Sequence, residues 1–152
     1  MSMPPRLSVV TFGVRDLPLL RRFYGALGWP EVNGSDDEWC GYLVGGALVA
    51  LYPLEHLAAE AGADADAGLG AVPAAPRWSG VTLACDVDSP AQVDSAFQAA
   101  VAAGASPISV PVAREWGGRS GYIADPEGNR WEIAWAPGAR FDERGALIAF
   151  GS

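Results

Sequence analysis

At 152 residues, half of them hydrophobic and only 18% charged, the chain has the composition of a globular protein with a substantial core. It is long enough for one domain or two small fused modules. Eighteen acidic against ten basic residues give a net charge of −8, which argues against a nucleic-acid or anionic-membrane partner, since both select a basic surface. No apolar run approaches the roughly 20 residues of a membrane span and no segment reads as a secretory leader, so a cytoplasmic protein is expected.

Residues 6–13, RLSVVTFG, read as a strand with Val9 and Thr11 on one face and Val10 and Phe12 on the other. Asp16 caps a helix that reaches about Leu27, with Pro18 tolerated in its first turn. Leu17, Leu20, Phe23, Tyr24 and Leu27 recur at helical spacing as its buried stripe, and Arg15, Arg21 and Arg22 fall on a solvated face. Gly28 stands where a left-handed residue closes a helix. Three short strands follow, over 30–33, 38–44 and 47–52, with turns at 34–37 and at Gly45-Gly46. Residues 54–61 read as a short helix. Residues 62–76 are rich in Ala, Gly, Asp and Pro without periodicity, as in a linker or loop.

The order of elements then repeats. Residues 79–86 read as a strand, and Ser89-Pro90-Ala91-Gln92 as a capping box with Pro at the first helical position. Val93, Phe97, Ala100 and Val101 supply the apolar stripe, and Gly104 closes the helix. Strands are expected over 108–114, 119–125 and 129–136. Cys40 and Cys85 each sit inside a strand-like run and read as reduced, buried thiols. In the tail, Glu143-Arg144-Gly145 is a turn and residues 147–150 are an edge strand.

The last two strands carry the most information. Asp125-Pro126-Glu127-Gly128 has the chemistry of a type I turn, and Asn129 tolerates the unusual φ that follows one. Beyond it, Trp131, Ile133 and Trp135 alternate with Glu132 and Ala134. The face with two tryptophans is a core face, so Glu132 points the other way. The D-P-x-G-N-x-x-E pattern of Asp125, Pro126, Gly128, Asn129 and Glu132 resembles the hairpin of the glyoxalase / bleomycin-resistance / extradiol dioxygenase superfamily, the vicinal oxygen chelate fold. The string GVRDLPLLRRFYGALGW near the start is similar to that superfamily's opening.

The resemblance implies an α+β fold of two βαβββ modules whose curved sheets form an open cup with helices outside. The expected division is 1–53 for the first module, 54–77 for a linker, 78–137 for the second module and 138–152 for the tail. Metal-dependent members ligate through the first and last strands of each module. The matching positions here are Val9, Leu48 or Ala50, Thr82 and Glu132. Hydrocarbon side chains cannot donate, so no metal and no other cofactor is expected. The single histidine, His56, reads as a solvated residue on a short helix, because a metal site or triad needs partners.

Glu132 has three open readings: a relic paired with Arg119 or Arg114, an anchor for a cationic or hydroxylated ligand, or a catalytic general base in an apolar cup. The expected ligand-binding set is Val9, Thr11, Trp39, Tyr52, Thr82, Ala84, Trp116, Arg119 and Glu132, together with Ala134 on one concave surface. Trp39 and Trp116 are placed at its rim. The reading is a metal-free binder of an aromatic or cationic small molecule; the alternative is a lyase, isomerase or dioxygenase-like enzyme using Glu132. Two-module members of the superfamily are often homodimers, so a homodimer is expected.

Overall fold

The structure, a computed structural model, describes residues 3–63 and 78–151. The linker expected over 62–76 therefore lies, from residue 64 onward, outside the described residues. The first module runs β1 (Val9–Val14), α1 (Leu17–Ala26), β2 (Cys40–Val44), β3 (Ala47–Pro53) and α2 (Leu54–Glu60). The second runs β4 (Leu83–Asp86), α3 (Pro90–Ala103), β5 (Ser106–Ala113), β6 (Arg119–Ala124) and β7 (Arg130–Trp135). A tail adds β8 (Arg140–Phe141) and β9 (Leu147–Ala149).

The strands form open sheets of order β1-β3-β2 and β4-β7-β6-β5, with β8-β9 as a separate pair. In each module the first strand lies parallel to the last, since the helix between them carries the chain back to the starting end. The fold is α+β, with two βαβββ units and sheets that do not close. The strand expected over 30–33 is reduced to one bridge, Glu31 to Tyr42. Both first strands are shorter than expected: Arg6 to Ser8 and Ser79 to Thr82 are exposed and lie ahead of the strands, with only the Ser8 carbonyl accepting from β3, from the Leu48 N–H at 2.8 Å.

The helix caps follow from their sequences. Asp16 accepts from the Leu19 N–H at 3.0 Å, and Ser89 accepts from Gln92 N–H at 3.3 Å. The Gln92 amide reaches one residue further back than in a standard capping box, accepting from the N–H of Asp88 at 2.7 Å. Gly28 and Gly104 take left-handed φ of 84° and 118° after the helices. Val101 is exposed rather than part of the α3 stripe, whose buried members are Val93, Phe97 and Ala100. Arg21 is not free in solvent either. It forks onto both carboxylate oxygens of Glu31 at 2.6 and 2.8 Å and reaches Asp37 at 3.1 Å.

One core joins the two modules, and α1 runs through its centre. The Tyr24 ring lies 5.8 Å from Tyr42 of the first sheet and 6.3 Å from Trp131 of the second. Val49, Leu51, Ile123 and Ile133 complete the two facing layers. The turn between β6 and β7 docks on the start of α1, where the Glu127 carboxylate accepts from the N–H groups of Arg15 and Asp16 at 2.8 Å each. A carboxylate there also complements the positive end of the helix dipole. In that turn Gly128, not Asn129, takes the left-handed φ of 90°. Asn129 instead donates its side-chain N–H to Asp125 at 2.8 Å.

Candidate functional site

The site grows from the alternation along β7. Trp131 and Ile133 are buried in the core, so Glu132 and Ala134 occupy the opposite face of the second sheet, although Trp131 also contributes to the lining of the cavity. Strand pairing then sets their neighbours. Ala84 lies beside Glu132 and Asp86 beside Ala134 on β4, while Tyr122 and Ser120 face them from β6. Ala84, Asp86, Glu132 and Ala134 of this surface form the floor of a cavity of about 1310 Å³, which Tyr122 and Ser120 do not line.

Its walls come from three places. Leu7, Trp29, Val44 and Ala47 of the first module form one side, Trp116 stands at another, and Phe141, Leu147 and Phe150 of the tail form a third. Trp116 sits in the turn between β5 and β6, which is closed by the Arg114 N–H donating to the Gly118 carbonyl at 2.8 Å. Among the described residues that line the cavity, Asp86 and Glu132 are the only charged ones.

The electrostatics follow from that scarcity of cations. Burial pushes the Asp86 carboxyl above the usual carboxylate range, and the charge of Glu132 adds to the effect. Burial also raises the Tyr122 phenol, again helped by Glu132 beside it. Neither arginine expected as a partner of Glu132 reaches it. Arg119 pairs across to Trp135, on the core side of the sheet, and forks onto Asp94 of α3 at 2.8 and 2.7 Å. It does not line the cavity. Arg114 donates to the Ser120 hydroxyl at 2.8 Å and lies 5.7 Å from the Tyr122 ring centroid. Glu132 makes no ion pair among the described residues.

The structure divides the other expected site residues. Ala84, Trp116, Glu132 and Ala134 line the cavity. Val9, Thr11 and Tyr52 share the outer face of the first sheet, paired with Leu48, Ala50 and Gly13, and do not reach it. The single concave surface expected for both sets is thus split. Because α1 packs against both core faces, the outer faces of the two sheets do not meet in one chain. The helix α2 also folds over the first sheet, where a Cβ at Gly13 would stand 2.7 Å from Leu54 Cδ1. Trp39 is not at the rim, since its ring lies over Gly41, 2.6 Å from where a Cβ would be. Thr82 is exposed ahead of β4. His56 is exposed on α2, with its ring edge-on to Tyr52 at 5.7 Å. Cys40 is buried as expected, but Cys85 is exposed because β4 is an edge strand.

Several contributors went unread in the sequence, Asp86 and the tail aromatics among them. Asp86 lies two residues beyond Ala84 and therefore on the same face, a parity that alternation alone could have supplied. The tail aromatics Phe141 and Phe150 had no such signal.

The donor set does not suit a metal. Val9, Leu48 and Ala50 are hydrocarbon, and among the described residues no three His, Cys, Asp or Glu side chains are grouped to hold an ion. No helix among the described residues is long and apolar enough to cross a membrane.

Residues 6–133 match the model of the Glyoxalase/Bleomycin resistance protein/Dioxygenase superfamily. The chain is similar to a glyoxalase-related enzyme from Fulvimarina pelagi, at 30% identity and a TM-score of 0.82 over 98% of this chain and 100% of that one. It resembles in fold a glyoxalase/bleomycin resistance protein/dioxygenase from Nocardioides, at 22% identity, a TM-score of 0.69 and coverage of 99% and 93%. A lactoylglutathione lyase from Agrobacterium tumefaciens shares the fold at 21% identity and a TM-score of 0.63, over 89% and 96% of the two chains. Comparison with curated proteins returns no match.

Proposed function

The chain belongs to the glyoxalase/bleomycin resistance protein/dioxygenase superfamily, and on that premise we propose that it binds a small aromatic organic cation without a metal. The observation that carries this reading is the lining of the cavity: tryptophan and phenylalanine walls over a floor whose only charges, among the described residues, are Asp86 and Glu132. A largely apolar cleft with a few convergent polar groups is the usual form of a small-molecule site. Carboxylates select positive charge, and aromatic faces add cation–π attraction. The net charge of −8 draws a cation toward the protein before contact.

A second reading, acid–base catalysis by Glu132, is favoured by one feature. Its strand neighbour Tyr122 offers a hydroxyl beside the carboxylate, which is the kind of pairing proton transfer needs.

The same proposal includes a homodimer and a cytoplasmic location. Val9 and Leu43 are large apolar side chains left 48% and 62% exposed on the first sheet, and Ile108 and Val110 are exposed on the edge strand β5. Such surface invites a second copy. Both cysteines are free thiols, as in a reducing compartment. Light scattering at micromolar concentration should give the mass of two chains; a monomer mass there would remove the dimer from the proposal.

The binding function is tested by thermal shift against a panel of aromatic cations with neutral and anionic analogues, alongside divalent metals. Cations should raise Tm and their anionic analogues should not, and Glu132→Gln should weaken the shift. Stabilisation by a metal alone, lost in Glu132→Ala, would overturn it.

A further inference from the structure

The geometry points to the tail hairpin, β8 and β9, as a hinged wall of the cavity that swings out for a ligand to enter and leave. This rests on the ligand-binding reading above but concerns an element beyond residue 133, where the family match ends. Phe141, Leu147 and Phe150 form the tail's share of the cavity wall. Leu147 is 51% exposed and Phe150 69%, so the wall is apolar surface still open to a partner.

The hairpin is attached in a way that permits motion. Its two strands pair only with each other and hydrogen-bond to neither large sheet. A lone two-stranded ribbon is at best marginally stable in water. Its loop is held internally, by Asp142 Oδ1 accepting from the N–H groups of Arg144 and Ala146 at 2.9 Å each. The ribbon can thus move as a unit.

Two glycine contacts fix where it turns and where it latches. At its base, Gly138 lies against the Gly151 backbone so closely that no Cβ fits. At its tip, a Cβ on Gly45 would stand 2.7 Å from the Gly145 carbonyl oxygen. Gly45 belongs to the turn between β2 and β3, so this second contact bridges the tail to the first module, and both glycines line the cavity. Backbone against backbone, it is a close approach that only glycine allows, and it seats the wall without a hydrogen bond.

The neighbouring pair offers a lock. A Cβ at Gly46 would lie 3.5 Å from that of Ala146, within the range a disulfide spans. The double variant Gly46→Cys/Ala146→Cys, oxidised, should hold the wall shut, while Gly45→Ala should push it open. The probe is thioflavin T, a flat aromatic cation, followed by stopped-flow fluorescence. The oxidised double variant should bind and release it at least about tenfold more slowly than the wild type treated alike, and dithiothreitol should restore the rates. Gly45→Ala should speed both. Wild-type rates in the verified disulfide form would overturn the hinge.

Amide hydrogen exchange supplies a readout that needs no ligand and survives a failure of the binding reading. Amides of residues 140–149 should exchange faster than those of β6 and β7 in the wild type, and faster still in Gly45→Ala, even if thioflavin T does not bind. Tail amides protected as long as those of the central strands would sink the proposal. Because Gly45 and Gly46 have φ of 60° and 100°, a side chain at either is strained; should both variants fail to fold, the exchange pattern of the wild type decides alone.

Discussion

The Tyr24 hydroxyl donates to Oδ2 of Asp125 at 2.7 Å, joining residues 101 positions apart. Both are buried, and the same hydroxyl accepts from Trp131 Nε1 at 3.0 Å. Asp125 meanwhile accepts from the N–H groups of Glu127 and Asn129. One turn carboxylate thus holds its own hairpin in shape and pins the helix of the other module to it. Burial, reinforced by Asp125, holds the Tyr24 phenol well above its usual range, so it remains a donor.

Tyr24→Phe should therefore lower stability by about 1–3 kcal/mol, because it strips a donor from a buried carboxylate and leaves the Trp131 N–H unpaired. Chemical denaturation checks this. A loss within error of zero would mean that this hydrogen bond adds nothing to the hold between the two modules.

Trp131 and Glu132 should behave as opposites although they are adjacent. Trp131 is 7% exposed and meets Phe12, Tyr24 and Trp29 edge-on, so Trp131→Ala should cost about 3–5 kcal/mol. Glu132→Gln should leave the midpoint of unfolding nearly unchanged and weaken binding of cationic compounds more than neutral ones. Equal stability losses in the two variants would contradict the assignment of faces.

Asp86 gives a pH test. Burial and Glu132 raise its carboxyl in the folded state. As pH climbs through the ordinary aspartate range, the unfolded chain gives up this proton first, so the folded state loses stability in the window above that range. Asp86→Asn removes the loss. The Tm of the variant relative to wild type should be more favourable at pH 7 than at pH 3.5. Working by difference cancels the carboxylates held low by their partners, such as Asp94 beside Arg119. A difference that shrinks with rising pH would reverse the assignment.

Metal analysis of the purified protein should find no stoichiometric Ni, Zn, Fe or Mn. The reason is chemical, since Val9, Leu48 or Ala50, and Thr82 replace the ligands that accompany a glutamate in metal-dependent relatives. One tightly held ion per chain, lost in Glu132→Ala, would show a ligand set that these positions do not contain.

What could be read along the chain were the features set by neighbours in sequence. Alternation along β7 set Trp131 and Glu132 on opposite faces, because successive side chains on a strand must point to opposite faces, though both of them line the cavity. Asp16, Ser89, Gly28 and Gly104 marked helix ends through local hydrogen bonding and backbone freedom. The hairpin from Arg119 to Trp135 was legible for the same reason. Pairings between distant residues were not. That Arg119 turns to Asp94 and not to Glu132 depends on α3 crossing that side of the sheet. That Val9 and Glu132 lie on separate surfaces depends on α1 serving two sheets at once. That the tail closes one wall depends on Gly45 and Gly145 meeting backbone to backbone. Sequence periodicity assigns each side chain to a face, but only the packing of one element on another decides what that face meets.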